Sequence, residues 1–328
     1  MRVLIFGTTG NCGKYIAKDF LSKGHEVIGV GRSNSPFNHK RFKFIQGDIT
    51  DPKLYKNIPV NIDLVLNLAG VQPSILPTSE KTNLEKTLSE YVDVNMVGTF
   101  NILEFVRKSN IAAYIYTTSH RDLEKHWQSN VFLGNDLPPA INYSGDHTMY
   151  AISKTSGKMM GDYYSASFGI RVFNLRLPMI FLVPDSPYYL SHGEPTLMPF
   201  LKVIKQAIDG LDLEVWGDPN MRRDYVHIDN LVYLINACYE STLRNGTFNV
   251  GTGEAVTTKQ FIEKIKDVFD EKNKCKINYR PEKLTYKCAV YDVSEQKQLF
   301  NYQPILVEEM LIKIKSKLFE LNLENYWK

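Results

Sequence analysis

A doubly wound parallel α/β sheet with a smaller mixed C-terminal domain is the fold this sequence predicts, on three observations. Short apolar runs alternate with helical patterns from Arg2 to Leu175, the order that builds parallel strands joined by crossover helices. A glycine-spaced turn, Gly7-Thr8-Thr9-Gly10-Asn11-Cys12-Gly13, joins the first apolar run to the first helical pattern. After Pro178 the alternation loosens: Pro184, Pro187, Pro195 and Pro199, with His192-Gly193, mark loops among shorter, mixed elements. The expected division is 1–177 for the sheet domain and 178–328 mainly for the second.

The elements follow in order. Arg2 to Phe6 is the short apolar run of a buried parallel strand. Lys14 to Leu21 is helical in pattern and stops at Gly24. Glycines at 7, 10 and 13 allow a tight turn and let backbone N–H groups reach a pyrophosphate at a helix N-terminus. The spacing is G-x-x-G-x-x-G and not the G-x-G-x-x-G of the common dehydrogenase fingerprint. A second strand, Glu26 to Val30, runs into Gly31-Arg32-Ser33. An NAD site usually places a carboxylate there to hold the ribose 2′-hydroxyl, whereas a guanidinium suits the 2′-phosphate of NADP. NADP(H) is therefore the preferred cofactor and NAD(H) a possible one, with Arg32 and Ser33 facing the phosphate. By the same reasoning, Asp placed at 31 reverses the preference unless Gly31 needs a positive φ.

Phe42 to Ile45 is the third strand, and Asp51-Pro52 reads as an N-cap with proline at the first helical position. Asp63 to Leu68 is the fourth, emptying into Ala69-Gly70; Val71 to Glu90 is polar and irregular, expected as a loop over the site. Tyr91 to Lys108 is a helix, and Tyr114 to Thr118 a fifth strand that delivers Thr117-Thr118-Ser119 at its carboxyl end, where such sheets bind ligands. A long connection through Pro138-Pro139 leads to a helix bearing Tyr150 and Lys154, then to a strand from Arg171 to Leu175.

The 3.6-residue period puts Tyr150 and Lys154 on one helix face. An ammonium one turn from a phenol favours the phenolate, which predicts a proton donor and acceptor usable at neutral pH. About two such spacings are expected by chance in random order. The chain has two, and Pro281 breaks the other, Tyr279 to Lys283.

Composition excludes several classes. An apolar fraction of 43% and a charged fraction of 23% over 328 residues are those of a globular protein. A net charge of +3, with the signs interspersed, argues for neither nucleic acid nor a membrane surface. Cys12, Cys238, Cys275 and Cys288 form no C-x-x-C pair and have no histidine at ligand spacing, so neither a metal site nor a disulfide framework is expected. No signal segment precedes Arg2 and no apolar run approaches a membrane span, so a cytoplasmic enzyme is expected.

Together these segments resemble the extended short-chain dehydrogenase/reductase family, a Rossmann-type group that includes nucleotide-sugar epimerases, dehydratases and ketoreductases. The resemblance covers nearly the whole chain. Gly7, Gly10 and Gly13, with Thr9, Asn11 and Cys12 between them, fit the family's phosphate turn, and Asp48-Ile49 its adenine contact. Asn67-Leu68-Ala69-Gly70 fits the strand end beside the cofactor, and Asp93-Val94-Asn95-Met96-Val97-Gly98-Thr99 the helix signature. Ser119, Tyr150 and Lys154 match the catalytic trio. Arg222-Arg223-Asp224-Tyr225-Val226-His227-Ile228-Asp229 and Phe248-Asn249-Val250-Gly251-Thr252-Gly253 match later family runs, and Arg280-Pro281 sits where sugar-nucleotide members hold the diphosphate.

The resemblance implies that Leu68, Ala69, Gly70, Asn95, Thr117 and Pro178 line the cofactor, and that Ser119, His120, Met179, Arg223 and Arg280 meet a nucleotide sugar. It implies that residues 225–253 return to a dinucleotide-binding first domain, leaving the second for substrate. The leading expectation is an NADP(H)-dependent reductase of a nucleotide-linked 4-keto sugar, with Tyr150 as proton donor. The alternatives are a nucleotide-sugar 4-epimerase holding NAD(P) and, outside catalysis, a dinucleotide-sensing protein. A homodimer is expected through the helices Tyr91 to Lys108 and Tyr150 to Phe168, covering Met159 and Tyr163. Three departures stand against the family pattern. Ser119 is followed by His120-Arg121 and not by the Asp-Glu of dehydratases; Met179 replaces the asparagine of R-x-x-N; Gly31-Arg32 lacks the acid of NAD-retaining epimerases.

Overall fold

A computed structural model describes residues 1–72, 88–127, 131–144, 147–191, 194–285 and 287–327. Most of the expected Val71 to Glu90 loop, and His192-Gly193, lie outside the described residues.

The chain divides into two compact units. The first comprises Met1–Lys125, Asn135–Leu177 and Leu231–Asn249. Its frame is a seven-stranded parallel sheet: β1 Arg2–Phe6, β2 Glu26–Gly31, β3 Phe42–Gln46, β4 Leu64–Asn67, β5 Ala113–Ser119, β6 Arg171–Leu177 and β7 Asn245–Asn249. The order across the sheet is 3-2-1-4-5-6-7. The order reverses between β1 and β4, so the loops leaving these two strands diverge and open a crevice at their carboxyl ends. Val3, Leu4, Ile5 and Phe6 are fully buried because helices cover both faces, which is why β1 reads as an unbroken apolar run.

The helices α1 Asn11–Ser22, α2 Thr99–Lys108 and α3 Thr148–Phe168 carry the crossovers. Two expectations change. The stretch after Asp51-Pro52 makes only a 3-10 turn, Leu54–Asn57, although the Asp51 carboxylate does accept from the Lys53 N–H at 2.9 Å. Pro59 is the cause: the residue before a proline is driven out of the helical region, and Ile58 is extended at φ −91°, ψ 127°. The expected single helix from Tyr91 winds as a π-helix over Tyr91–Gly98 before tightening into α2. Such wide turns favour functional sites, and this one carries Asn95.

The second unit comprises His126–Gly134, Pro178–Asn230 and Val250–Lys328. Short paired strands replace the large sheet: Leu213–Trp216 with Ile277–Arg280, Arg222–Arg223 with Val256–Thr257, Val226–His227 with Ile180–Phe181. Its core packs Phe181, Leu201, Ile204, Phe261, Ile265 and Met310, with the Tyr225 and Phe261 rings stacked 3.8 Å apart. The stretch that rejoins the first unit is Leu231–Asn249, narrower than 225–253. The ends stay in the second unit because buried Asp224 holds them: its carboxylate accepts from the Thr252 N–H and hydroxyl and from the Gly253 N–H.

Candidate active site

The turn after β1 is built for close approach. Gly7 has φ +88°, and a side chain there would lie 2.8 Å from the Ala69 nitrogen. The Gly10 N–H closes the turn on the Gly7 carbonyl at 3.1 Å, and a Cβ at Gly13 would collide with that same carbonyl. Gly10 caps α1 without any side-chain bond, and the first turn of α1 holds no acid. Open N–H groups on a glycine-lined helix N-terminus form the donor set an anionic pyrophosphate requires, so these residues fit a dinucleotide. Burial pushes the half-buried Cys12 thiol up to about 11, which favours the neutral thiol.

Ser119 ends β5 and is buried. Its oxygen accepts from the Arg121 N–H at 3.2 Å, which leaves its hydroxyl proton for the Tyr150 oxygen. Tyr150 and Lys154 stand one turn apart on α3. Burial raises the Tyr150 hydroxyl above its ordinary range, and the bond from Ser119 and the charge of Arg121 pull the other way. That differs from the expected depression by Lys154. The Lys154 ammonium lies 4.2 Å from the centre of the Tyr116 ring, and burial lowers it to about 7.

Asn95 ties this corner together. Its amide accepts from the Val71 N–H at 2.8 Å and donates to the Val71 carbonyl at 3.2 Å and the Ser153 hydroxyl at 3.0 Å. A side chain at Gly70 would meet the Asn95 oxygen at 3.0 Å and the Lys154 nitrogen at 3.7 Å, so β4's exit, the π-helix and α3 converge here. His120 follows Ser119 as a neutral imidazole, lowered to about 3 by burial and by the Arg121 and His147 charges.

Other sequence-predicted residues take quieter places. The Thr117 hydroxyl donates to the Asn67 carbonyl at 3.2 Å, the Leu68 N–H to the Phe6 carbonyl at 3.0 Å, and the Ala69 N–H to the Asn67 side chain at 3.2 Å. One Asp48 oxygen is taken by the Thr50 N–H and hydroxyl, and Ile49 is buried against Gly98. Arg32 and Ser33 are exposed, with the Arg32 carbonyl held by the Gln46 amide at 2.9 Å. Pro178, Met179, Arg223 and Arg280 belong to the second unit. There Met179 is 58% exposed, Arg223 pairs through its strand with Val256, and Arg280 bonds Glu214 at 2.9 Å. Among the described residues no group of acids, histidines and cysteines is placed to hold a metal, and no helix is long and apolar enough to cross a membrane.

Sequence reasoning missed Tyr116. Its ring carries Lys154, and a Cβ at Gly157 on α3 would collide with its hydroxyl. A glycine one turn past the lysine in a long helix was the available signal.

A family model described as the NAD dependent epimerase/dehydratase family matches residues 3–251. A UDP-glucuronate 4-epimerase from Thermodesulfobacterium geofontis is 25% identical, over 94% of this chain and 93% of that protein. A dTDP-4-dehydro-6-deoxy-D-allose reductase from a Streptomyces species is 21% identical, over 92% and 91% respectively. Among solved structures, the UDP-glucose 4-epimerase of Thermotoga maritima, with UDP-glucose, superposes with a TM-score of 0.76 at 20% identity, covering 98% of this chain and all of that one.

Proposed function

The chain belongs to the NAD-dependent epimerase/dehydratase family, and from that premise we propose that it reduces a nucleotide-linked 4-keto sugar with NADPH. The observation that carries the reading is the convergence of Ser119, Tyr150 and Lys154 beside a glycine turn fitted to a dinucleotide. Bound there, the dinucleotide supplies the hydride for the carbonyl carbon. Ser119 holds the carbonyl oxygen by a hydrogen bond, and Tyr150 gives that oxygen its proton. Lys154, in its protonated form, sets a positive charge beside the exchange. Arg223 and Arg280 are assigned to the diphosphate, whose oxygens guanidinium forks match. His120, as a neutral imidazole, and Met179, in place of an amide, are assigned to the sugar. The missing carboxylate at the end of β2 favours NADPH, and NADPH favours reduction over epimerisation.

A homodimer and a cytoplasmic setting belong to the same proposal. Met159 and Tyr163 on α3 are 63% and 59% exposed, and Phe100 on α2 is also exposed, an apolar face that a second copy would cover. None of the four cysteines is in a disulfide, which suits a reducing compartment.

The 4-epimerase reading is favoured by the similarity to the Thermodesulfobacterium protein. Stoichiometry separates the two. A panel of nucleotide sugars and their 4-keto derivatives should show NADPH consumed one for one with product. Turnover with no reduced cofactor added would establish the epimerase, and cofactor binding without turnover of any sugar would establish the sensor. In the active assay Tyr150→Phe should lower kcat by about 10²–10⁴-fold with cofactor affinity kept.

A further inference from the structure

Two successive positions on one face of β2 carry no side chain, Gly29 and Gly31, and the turn after β1 explains both. A Cβ at Gly29 would lie 2.6 Å from the Thr8 hydroxyl and 2.7 Å from the Phe42 ring. A Cβ at Gly31 would lie 2.7 Å from the Thr9 methyl and 2.9 Å from its hydroxyl. Neither glycine has a positive φ, so a side chain is barred by space and not by backbone conformation. Thr8 is locked in place: it is fully buried and its hydroxyl donates to the Val30 carbonyl at 3.1 Å. The Thr-Thr pair of the turn thus interlocks with the Gly-x-Gly of the strand. Gly31 ends β2, at the position where a ribose-binding carboxylate is otherwise expected.

We propose that Thr9 decides which side chain the end of β2 can hold, and through it the cofactor: by filling the side-chain space of position 31, it keeps a carboxylate out. The inference rests on the NADPH reading above and deepens it. It also revises the expectation that Asp at position 31 suffices to reverse the preference, because Thr9 must first be cut back. Removing its outer atoms leaves only the Thr9 Cβ, at 3.4 Å from a Cβ at 31, an ordinary contact.

The test uses four proteins: wild type, Gly31→Asp, Thr9→Ala and the double variant. Each is titrated with NADPH and with NADH by nicotinamide fluorescence, and each is melted without cofactor. Gly31→Asp alone should bind both dinucleotides weakly and melt below wild type. Thr9→Ala alone should keep the wild-type preference. The double variant should recover the melting temperature and prefer NADH, a swing of about tenfold or more from the wild-type ratio, given the strength of charge-assisted bonds. Full reversal by Gly31→Asp alone, with unchanged melting, would overturn the role of Thr9. So would a double variant that melts like wild type yet still prefers NADPH. Equal binding of the two dinucleotides by wild type would instead overturn the cofactor reading, while rescue of the Gly31→Asp melting loss by Thr9→Ala would still report the interlock.

Discussion

Among the described residues of the sheet unit, two cations are buried, and they are treated in opposite ways. Arg176, near the end of β6, is 1% exposed and bonded to three residues. It bonds the Asp122 carboxylate at 3.0 Å, the Asn249 side-chain oxygen at 2.7 Å and the Asn135 carbonyl at 3.4 Å. Lys154 on α3 is 5% exposed, faces an aromatic ring, and is bonded to no carboxylate among the described residues. A guanidinium bonded to a carboxylate, an amide and a carbonyl is held in charge and place. An ammonium held by a ring alone is lowered to about 7 and can change charge at working pH. The bonded arginine reads as architecture, and the lysine is the cation that the proposed chemistry would use.

Three substitutions break or sharpen that contrast. The largest effect is expected from Lys154→Met: turnover should fall by about 10²–10⁴-fold, comparable to loss of an acid–base group. Its melting temperature should hold or rise at neutral pH, since a poorly paired buried charge is removed. Lys154 also shapes stability against pH. Between about 7 and its ordinary 10.5, the unfolded chain keeps a proton that the folded chain has released, so stability rises with pH across that window. Lys154→Met should flatten that rise in urea titrations at several pH values. A melting loss in this variant as deep as that of the arginine would dissolve the contrast.

Arg176→Met should do the reverse. It strands the Asp122 carboxylate in the interior, at a cost of about 3–5 kcal/mol read by urea unfolding. Adding Asp122→Leu should return much of that loss. Stability unchanged by the single variant would show that the pair carries no structural role.

The smallest effect sharpens the other side. Tyr116→Leu removes the ring face under the ammonium, worth about 2 kcal/mol when desolvated. Lys154 should then lose its proton about one to one and a half pH units lower. Among the described residues, Tyr116 from β5 faces it and Tyr150 stands one turn before it on its own helix. The fall in kcat/KM that follows loss of the ammonium, expected near pH 7 in wild type, should move to lower pH in Tyr116→Leu. Tyr116→Phe keeps the ring and should keep the profile, whereas equal shifts in both variants would exclude the ring face as the cause.

Legibility in the sequence followed distance along the chain. The apolar run of β1, the turn of Gly7, Gly10 and Gly13, and the Tyr150–Lys154 spacing are local patterns that survive without tertiary knowledge. The parallel sheet followed from their alternation. Contacts made across the fold were not legible. Nothing near Tyr116 in sequence announces Lys154, and nothing near Gly31 announces Thr9. Arg176 read only as part of a family motif that loses its asparagine, although its partners come from Asp122, Asn135 and Asn249. One-turn spacing pointed to a depressed Tyr150 hydroxyl, whereas burial, a property of the whole fold, raises it.

The placement of β7 has a consequence for biosynthesis. Asn245–Asn249 closes the edge of the sheet against β6 and brings Asn249 to Arg176, yet Pro178–Asn230 must be translated first. On the ribosome the nascent first unit therefore waits with β6 as an open edge and a guanidinium short of one partner. Exposed strand edges of this kind invite pairing with other chains, so this interval is one of exposure to aggregation and of use for a chaperone. Truncation after Leu177 would make that waiting state permanent, which argues for carrying β7 in any fragment meant to fold.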